Sequence, residues 1–241
     1  MIKPIQIVLF ISIISLAGCR SHRRLTEDAY LNGFDNKQPF TVIEAVEQLD
    51  ASQMRIYLIR HAKPDVKKFG ICTASMAQAY VTAYNKAPVI PFDTSLVNVR
   101  LQSRRVIHCS TLRRAHETAE AIFGDQHEVV PDDIYREFET RIVGAGHVYK
   151  LPLIMWQSIS RIGWVMGLNT KDIESYGNAI DRAHKAAAQL ENLAQQEQLT
   201  ILVAHGMLNR SIAKELKRRG WQLKQKQGHI NIGATILEKE R

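Results

Sequence analysis

The sequence predicts an α/β fold: a three-layer sandwich in which a mostly parallel central sheet carries helices on both faces. Two apolar runs support this. Ile56-Tyr57-Leu58-Ile59 leads into Arg60-His61, and Leu199-Thr200-Ile201-Leu202-Val203-Ala204 leads into His205-Gly206. Short runs rich in β-branched and aromatic residues read as strands buried on both faces. The third observation is the alternation of such strands with helical segments of ordinary length, the pattern of a parallel sheet with crossover helices. In open sheets of this kind, ligands bind at the carboxyl ends of the strands, where both runs deliver a histidine.

The elements follow in order. Thr41 to Leu49 spaces Val42, Ile43, Val46 and Leu49 at helical intervals, and Thr41 with Glu44 forms a capping-box pattern, so a helix is expected. A strand follows at about Arg55 to Arg60, with Pro64 closing the loop after it. Thr73 to Asn85 reads as a helix that cannot pass Pro88. Arg105 to Cys109 is a strand, Thr111 to Phe123 a helix ended by Gly124, and His127 to Val130 a short strand. Tyr149 to Gly167 is apolar and reads as an inserted helical segment, with Trp156 and Trp164 expected in its core rather than as a substrate platform. Asn178 to Gln196 is an alanine-rich amphipathic helix. The Leu199 strand, a helix from Met207 to Arg218 and a closing strand near Ile230 to Leu237 complete the chain.

Length and composition fit one large globular domain: 241 residues, 45% hydrophobic and 23% charged. A net charge of +8 favours anionic partners. The basic residues are scattered, apart from Arg20-Ser21-His22-Arg23-Arg24 and the stretch from Lys214 to Lys226. No nucleic-acid motif accompanies them, so nucleic acid is not an expected partner.

The amino terminus stands apart. Lys3 precedes an uncharged, mostly apolar stretch from Ile7 to Ala17, too short to span a membrane. Leu16-Ala17-Gly18-Cys19 then matches the lipobox of bacterial lipoproteins. Residues 1–18 are expected to be a signal peptide, Cys19 to carry lipid, and residues 19–40 to tether a domain spanning 41–241. In a Gram-negative bacterium, Arg20 rather than Asp after the cysteine points to outer-membrane sorting, and the periplasmic face of the outer membrane is the expected location. Cys72 and Cys109 can pair in an oxidising compartment but are read here as two free thiols. His108, Cys109, Cys72 and His116 lack the spacing of a zinc site.

Four motifs occur in order: Arg60-His61, the run from Ser110 to Ala119 (Ser-Thr-Leu-Arg-Arg-Ala-His-Glu-Thr-Ala), Tyr135-Arg136-Glu137, and His205-Gly206. Each falls beside an expected strand end. Together they resemble the histidine phosphatase superfamily, which includes the phosphoglycerate mutases, over roughly residues 54 to 238. The resemblance implies a phosphoglycerate mutase-like fold and phosphoryl transfer without metal or cofactor. By it, His61 attacks phosphorus and becomes a phosphohistidine, Arg60 and Arg114 clamp phosphate oxygens, and His205 donates to one of them. Arg113 points elsewhere on its helix. One branch of the superfamily places Asp directly after the second histidine; Gly206 stands there here, so the general acid maps to Glu137, with Asp65 and Glu139 as rivals.

Some positions depart from the family pattern. Ala62 stands where glycine is usual and would be strained if the backbone needed positive φ. Lys63 replaces the glutamate common in mutases. The stretch from Arg141 to His147, with Gly144 and Gly146, reads as a loop over the pocket, in which His147 either contacts substrate or is solvated. Two functional readings result. The first is a lipid-anchored phosphomonoester hydrolase acting on a phosphorylated small molecule or on envelope glycan or lipid phosphate. The second is a non-catalytic phosphate-binding or scaffolding lipoprotein on the same fold.

Overall fold

The computed structural model describes residues 40–144 and 148–241. The expected signal peptide, Cys19, nearly all of the tether, Gly146 and His147 lie outside the described residues. The chain from Pro39 to Arg241 forms one unit.

The strands are β1 (Thr41–Ile43), β2 (Gln53–Arg60), β3 (Ile71–Thr73), β4 (Val97–Val99), β5 (Val106–Ser110), β6 (Glu128–Asp132), β7 (Lys150–Pro152), β8 (Leu199–Ala204), β9 (Gln222–Lys226) and β10 (Ala234–Glu240). The helices are α1 (Ala74–Lys86), α2 (Arg113–Phe123), α3 (Leu153–Val165), α4 (Tyr176–Glu197) and α5 (Gly206–Arg218). The main sheet has the order β6-β5-β8-β2-β10-β9. Its first four strands run parallel, and β10 runs antiparallel to both neighbours. The predicted α/β sandwich is therefore present, with a mixed central sheet.

Alternation along the buried strands decides which layer each residue joins. Ile56 and Leu58 of β2, with Leu202 and Ala204 of β8, face α4 and α5. There Ala179, Ala183, Ala186, Ala187, Leu190 and Ala194 form the buried stripe of α4. Tyr57, Ile59, Ile201 and Val203 face the opposite side, with Ala119 and Phe123 of α2 and with Ile43 and Val97. A third cluster joins α1 to the inserted segment through Cys72, Ala77, Tyr80, Ile142, Leu153 and Trp156. Trp156 and Trp164 are both core, as expected. Their indole N–H groups donate to the carbonyls of Cys72 at 2.9 Å and Glu174 at 2.7 Å.

The structure departs from the sequence reading in several places, and β3, β4 and β9 were not expected. The expected helix at Thr41 to Leu49 is instead β1 followed by a 3-10 turn at Val46–Gln48. β1 pairs in parallel with β4, and Thr41, Ile43 and Ala45 are buried in alternation, so a distant strand overrides the local helical spacing. The closing strand begins at Ala234 rather than Ile230, because Ile230 to Gly233 form a turn in which Ile232 has φ 65°. The inserted segment opens with β7, which pairs with β3 before the chain becomes helical.

Candidate active site

The register of the two central parallel strands brings the histidines together. Arg60 lies opposite Ala204, and the ladder continues one step further as the His61 N–H donates to the Ala204 carbonyl at 3.0 Å. His61 and His205 are the next residues on neighbouring strands. Their ring centroids are 5.1 Å apart, and both side chains are buried.

His61 Nδ1 lies 2.6 Å from the Ala62 carbonyl oxygen. A carbonyl only accepts, so Nδ1 carries the proton and Nε2 presents a lone pair. Arg114 Nε donates to that lone pair at 3.3 Å. Burial first, then the charges of Arg114 and Arg60, push the His61 pKa down to about 3 against the opposing Ala62 bond. The imidazole is therefore neutral at ordinary pH.

Several contacts hold this loop. The Ala62 N–H donates to Thr118 Oγ1 at 2.9 Å, and that hydroxyl donates to the Arg114 carbonyl at 2.6 Å. Asn231 Nδ2 donates to the His61 carbonyl at 2.8 Å, and Asn209 Nδ2 to the Ile59 carbonyl at 3.1 Å. Ala62 itself is unstrained. Among the described residues, the non-glycine residues with positive φ are Asp172, Gln198 and Ile232.

Two guanidinium groups flank the imidazoles. Arg114 rises from the first turn of α2 and is buried; its Nη1 donates to the Tyr84 carbonyl and to Asn85 Oδ1, each at 3.4 Å. Its guanidinium carbon sits 4.8 Å from the centroid of the Tyr84 ring. Arg113 is exposed and pairs with Glu117 at 2.6 Å, as its helical position predicts. Arg60 Nη1 donates to the His229 carbonyl, while its Nε is buried without a protein partner. Gly206 packs against this side chain: a Cβ there would stand 3.4 Å from that Nε, in van der Waals contact.

His205 Nε2 lies 2.8 Å from Ser110 Oγ, and its Nδ1 is buried without a protein partner. Burial, followed by the charges of Arg114, His61, Arg60 and Arg182, drives its pKa well below the ordinary histidine value. Two unpartnered nitrogens, Arg60 Nε and His205 Nδ1, thus accompany the lone pair of His61. Buried polar groups normally find partners, and the cationic surroundings match an anion.

Glu137 sits at the start of α5. Its Oε1 accepts from the Phe138 N–H at 3.0 Å and the Leu208 N–H at 3.1 Å, and its Oε2 accepts from the Met207 N–H at 3.2 Å. Its charge reaches Arg114, where it opposes the lowering of that pKa by burial. Of the rivals, Asp65 is exposed on the loop after His61. Glu139 accepts the Glu174 N–H at 2.7 Å and pairs with Arg136 at 3.5 Å. Glu137 and Glu139 both line a cleft of about 440 Å³ with Arg136, Glu174 and Arg182.

Sequence reasoning passed over Tyr84, Asn85 and Asn231. Each reaches the site from a segment outside the motifs and carries no local signal. Cys72 and Cys109 are buried free thiols; burial pushes Cys109 up to about 12. Among the described residues no cluster of three or more His, Cys, Asp or Glu side chains is arranged to hold a metal ion.

The sequence model of the Histidine phosphatase superfamily (branch 1) matches residues 56–241. The chain belongs to this superfamily. The match spans all four motifs, from Arg60-His61 to His205-Gly206. No curated protein matches the sequence. Solved structures that match the chain include a phosphoserine phosphatase from Entamoeba histolytica, at 20% identity over 76% of this chain and 89% of that one, with a TM-score of 0.37. A mycobacterial glucosyl-3-phosphoglycerate phosphatase is 18% identical over 77% and 90% of the two chains, with a TM-score of 0.41. The alpha-ribazole phosphatase from Shigella flexneri is 18% identical over 76% and 94%, with a TM-score of 0.39. The family assignment rests on the family model rather than on these overlaps.

Proposed function

We propose that this histidine phosphatase superfamily member is a phosphomonoester hydrolase working through a phosphohistidine on His61, without a metal or cofactor. The observation that carries the reading is the protonated Nδ1 of His61. Bonded to the Ala62 carbonyl, it leaves Nε2 unprotonated beside a second imidazole, its electron pair accepting from Arg114 Nε at 3.3 Å until a bound phosphate takes over that bond and releases the pair for attack. In the first half-reaction the Nε2 lone pair forms a bond to phosphorus as the bond to the leaving oxygen breaks. Arg60, Arg114 and His205 stabilise the equatorial oxygens. A protonated Glu137 supplies the proton to the leaving oxygen.

In the second half, water attacks the phosphoryl-imidazole and the Glu137 carboxylate takes its proton. The P–N bond breaks, releasing inorganic phosphate and restoring His61. Three amide N–H groups occupy three of the four lone-pair positions of the Glu137 carboxylate, leaving one on Oε2 to carry the transferred proton.

Substrates on this reading are phosphorylated small molecules, or phosphate on envelope glycans or lipids. The lipobox at Leu16 to Cys19 supports a lipid-anchored enzyme in the cell envelope, on the periplasmic face of the outer membrane. The test is hydrolysis of p-nitrophenyl phosphate with EDTA present, by a soluble form beginning near Thr26 and by its His61→Ala twin. Turnover that survives the chelator and falls about 10³-fold or more in the twin is expected. Turnover lost to EDTA, or retained in the twin, overturns the mechanism.

A further inference from the structure

The inserted segment turns a second apolar face to solvent. Trp156, Ser160 and Trp164 of α3 point inward. On the other side Ile154 is 53% exposed, Ile162 49%, Met166 58% and Leu168 67%, with Met155, Ile159 and Val165 also exposed between them. The stripe continues past the amino end of the helix. Ile71, 70% exposed, pairs in register with Pro152, and the Leu153 N–H donates to the Gly70 carbonyl at 2.9 Å. A contiguous exposed apolar surface of this kind marks a place of contact.

Charge identifies what it contacts. Between Arg141 and Lys171 the sequence holds no Asp or Glu, and between Val66 and Phe92 it again holds none. The ionic side chains of these stretches are cationic, and Lys67, Lys68, Lys150 and Lys171 are exposed. The acids that flank these stretches include Asp65, Asp93 and Asp172, the last paired with Arg141 at 2.5 Å. Exposed apolar residues with exposed lysines in the adjoining stretches suit a face that meets the surface of an anionic bilayer. A second copy of this face would bring lysines against lysines. Among the described residues no helix is long and apolar enough to cross a membrane, so the contact is with the surface.

We propose that the exposed face of α3, with the β3–β7 ribbon, docks on an anionic lipid surface. This goes beyond the phosphatase reading and does not depend on it. The face itself rests on charge and apolar exposure.

The experiment uses the full-length chain reconstituted into vesicles of phosphatidylethanolamine and phosphatidylglycerol. An environment-sensitive fluorophore is placed at Ser158→Cys on the exposed face, or at Lys217→Cys on α5 as a control. Emission at position 158 is expected to shift to the blue and to be quenched by acyl-chain bromines, with neither effect at 217. The shift is expected to be lost in phosphatidylcholine vesicles and in the Ile154→Ser/Ile159→Ser/Ile162→Ser variant, with p-nitrophenyl phosphate turnover unchanged. Equal signals at both positions would mean that anchoring alone brings the protein to the lipid, and would overturn the proposal. So would a blue shift in detergent that rises with protein concentration and ignores lipid, which would assign the face to a second copy.

Discussion

His61 combines deep burial with a depressed pKa, and the two make a prediction about acid stability. Its folded pKa, about 3, lies below the unfolded value, and that of His205 is displaced in the same direction. Between those values the unfolded chain binds more protons than the native one. The contribution to stability is therefore complete above about pH 6.5 and is lost as pH falls towards 3, at up to ~1.4 kcal/mol per pH unit for each histidine. Urea midpoints measured through this window should fall with acidity and fall less steeply in His61→Gln. Added phosphate, binding the native site, should raise the midpoints. Identical slopes in the two proteins would remove His61 as the cause. Glu137 supports a second prediction. Glu137→Gln should slow hydrolysis of alkyl phosphates by about 10²–10⁴-fold and affect p-nitrophenyl phosphate less, because a good leaving group needs little protonation. Equal losses on both substrates would point away from Glu137 as the acid. The candidate site residues that the structure brings together were legible because a motif fixes their spacing. Asn231, which grips the His61 carbonyl across the fold, was not, since its role exists only once the turn before β10 is in place.

The helices hold the sheet through narrow, specific stripes. In α4 the buried face is almost all alanine, which lets the helix approach β2 and β8 closely, with Leu190 as its large buried contact. Leu190→Ala should cost ~2–5 kcal/mol in urea denaturation, because the site cannot collapse around the lost volume. A loss below ~1 kcal/mol would show that the alanine stripe, not Leu190, anchors the helix. Long elements were readable from period and caps; α2, α4, α5, β2 and β8 fell within a few residues of expectation. The short ones were not. β1–β4 and β3–β7 are three-residue pairings between distant segments, and nothing within Thr41 to Leu49 announces the strand opposite it. β9 lies at the sheet edge and carries Gln222, Lys224, Gln225 and Lys226, too polar to register as a strand.

The whole chain couples a compact basic domain to an amino terminus of a different character. Cys19→Ser should yield unprocessed protein that incorporates no labelled palmitate; ordinary labelling of that variant would exclude Cys19 as the lipidated residue. Sequence alone determined the α/β class, the order of the main strands and helices, and the four motifs, because local periodicity and strand-end chemistry are written in neighbouring residues. Only the tertiary structure decided that β2 and β8 lie side by side in the register that sets His61 against His205. It also decided that Glu137 caps α5, and that the inserted helix has an inner tryptophan face and an outer apolar one. Those facts depend on long-range pairing and on which surfaces neighbouring elements cover, and both are properties of the packed molecule rather than of any stretch of the chain.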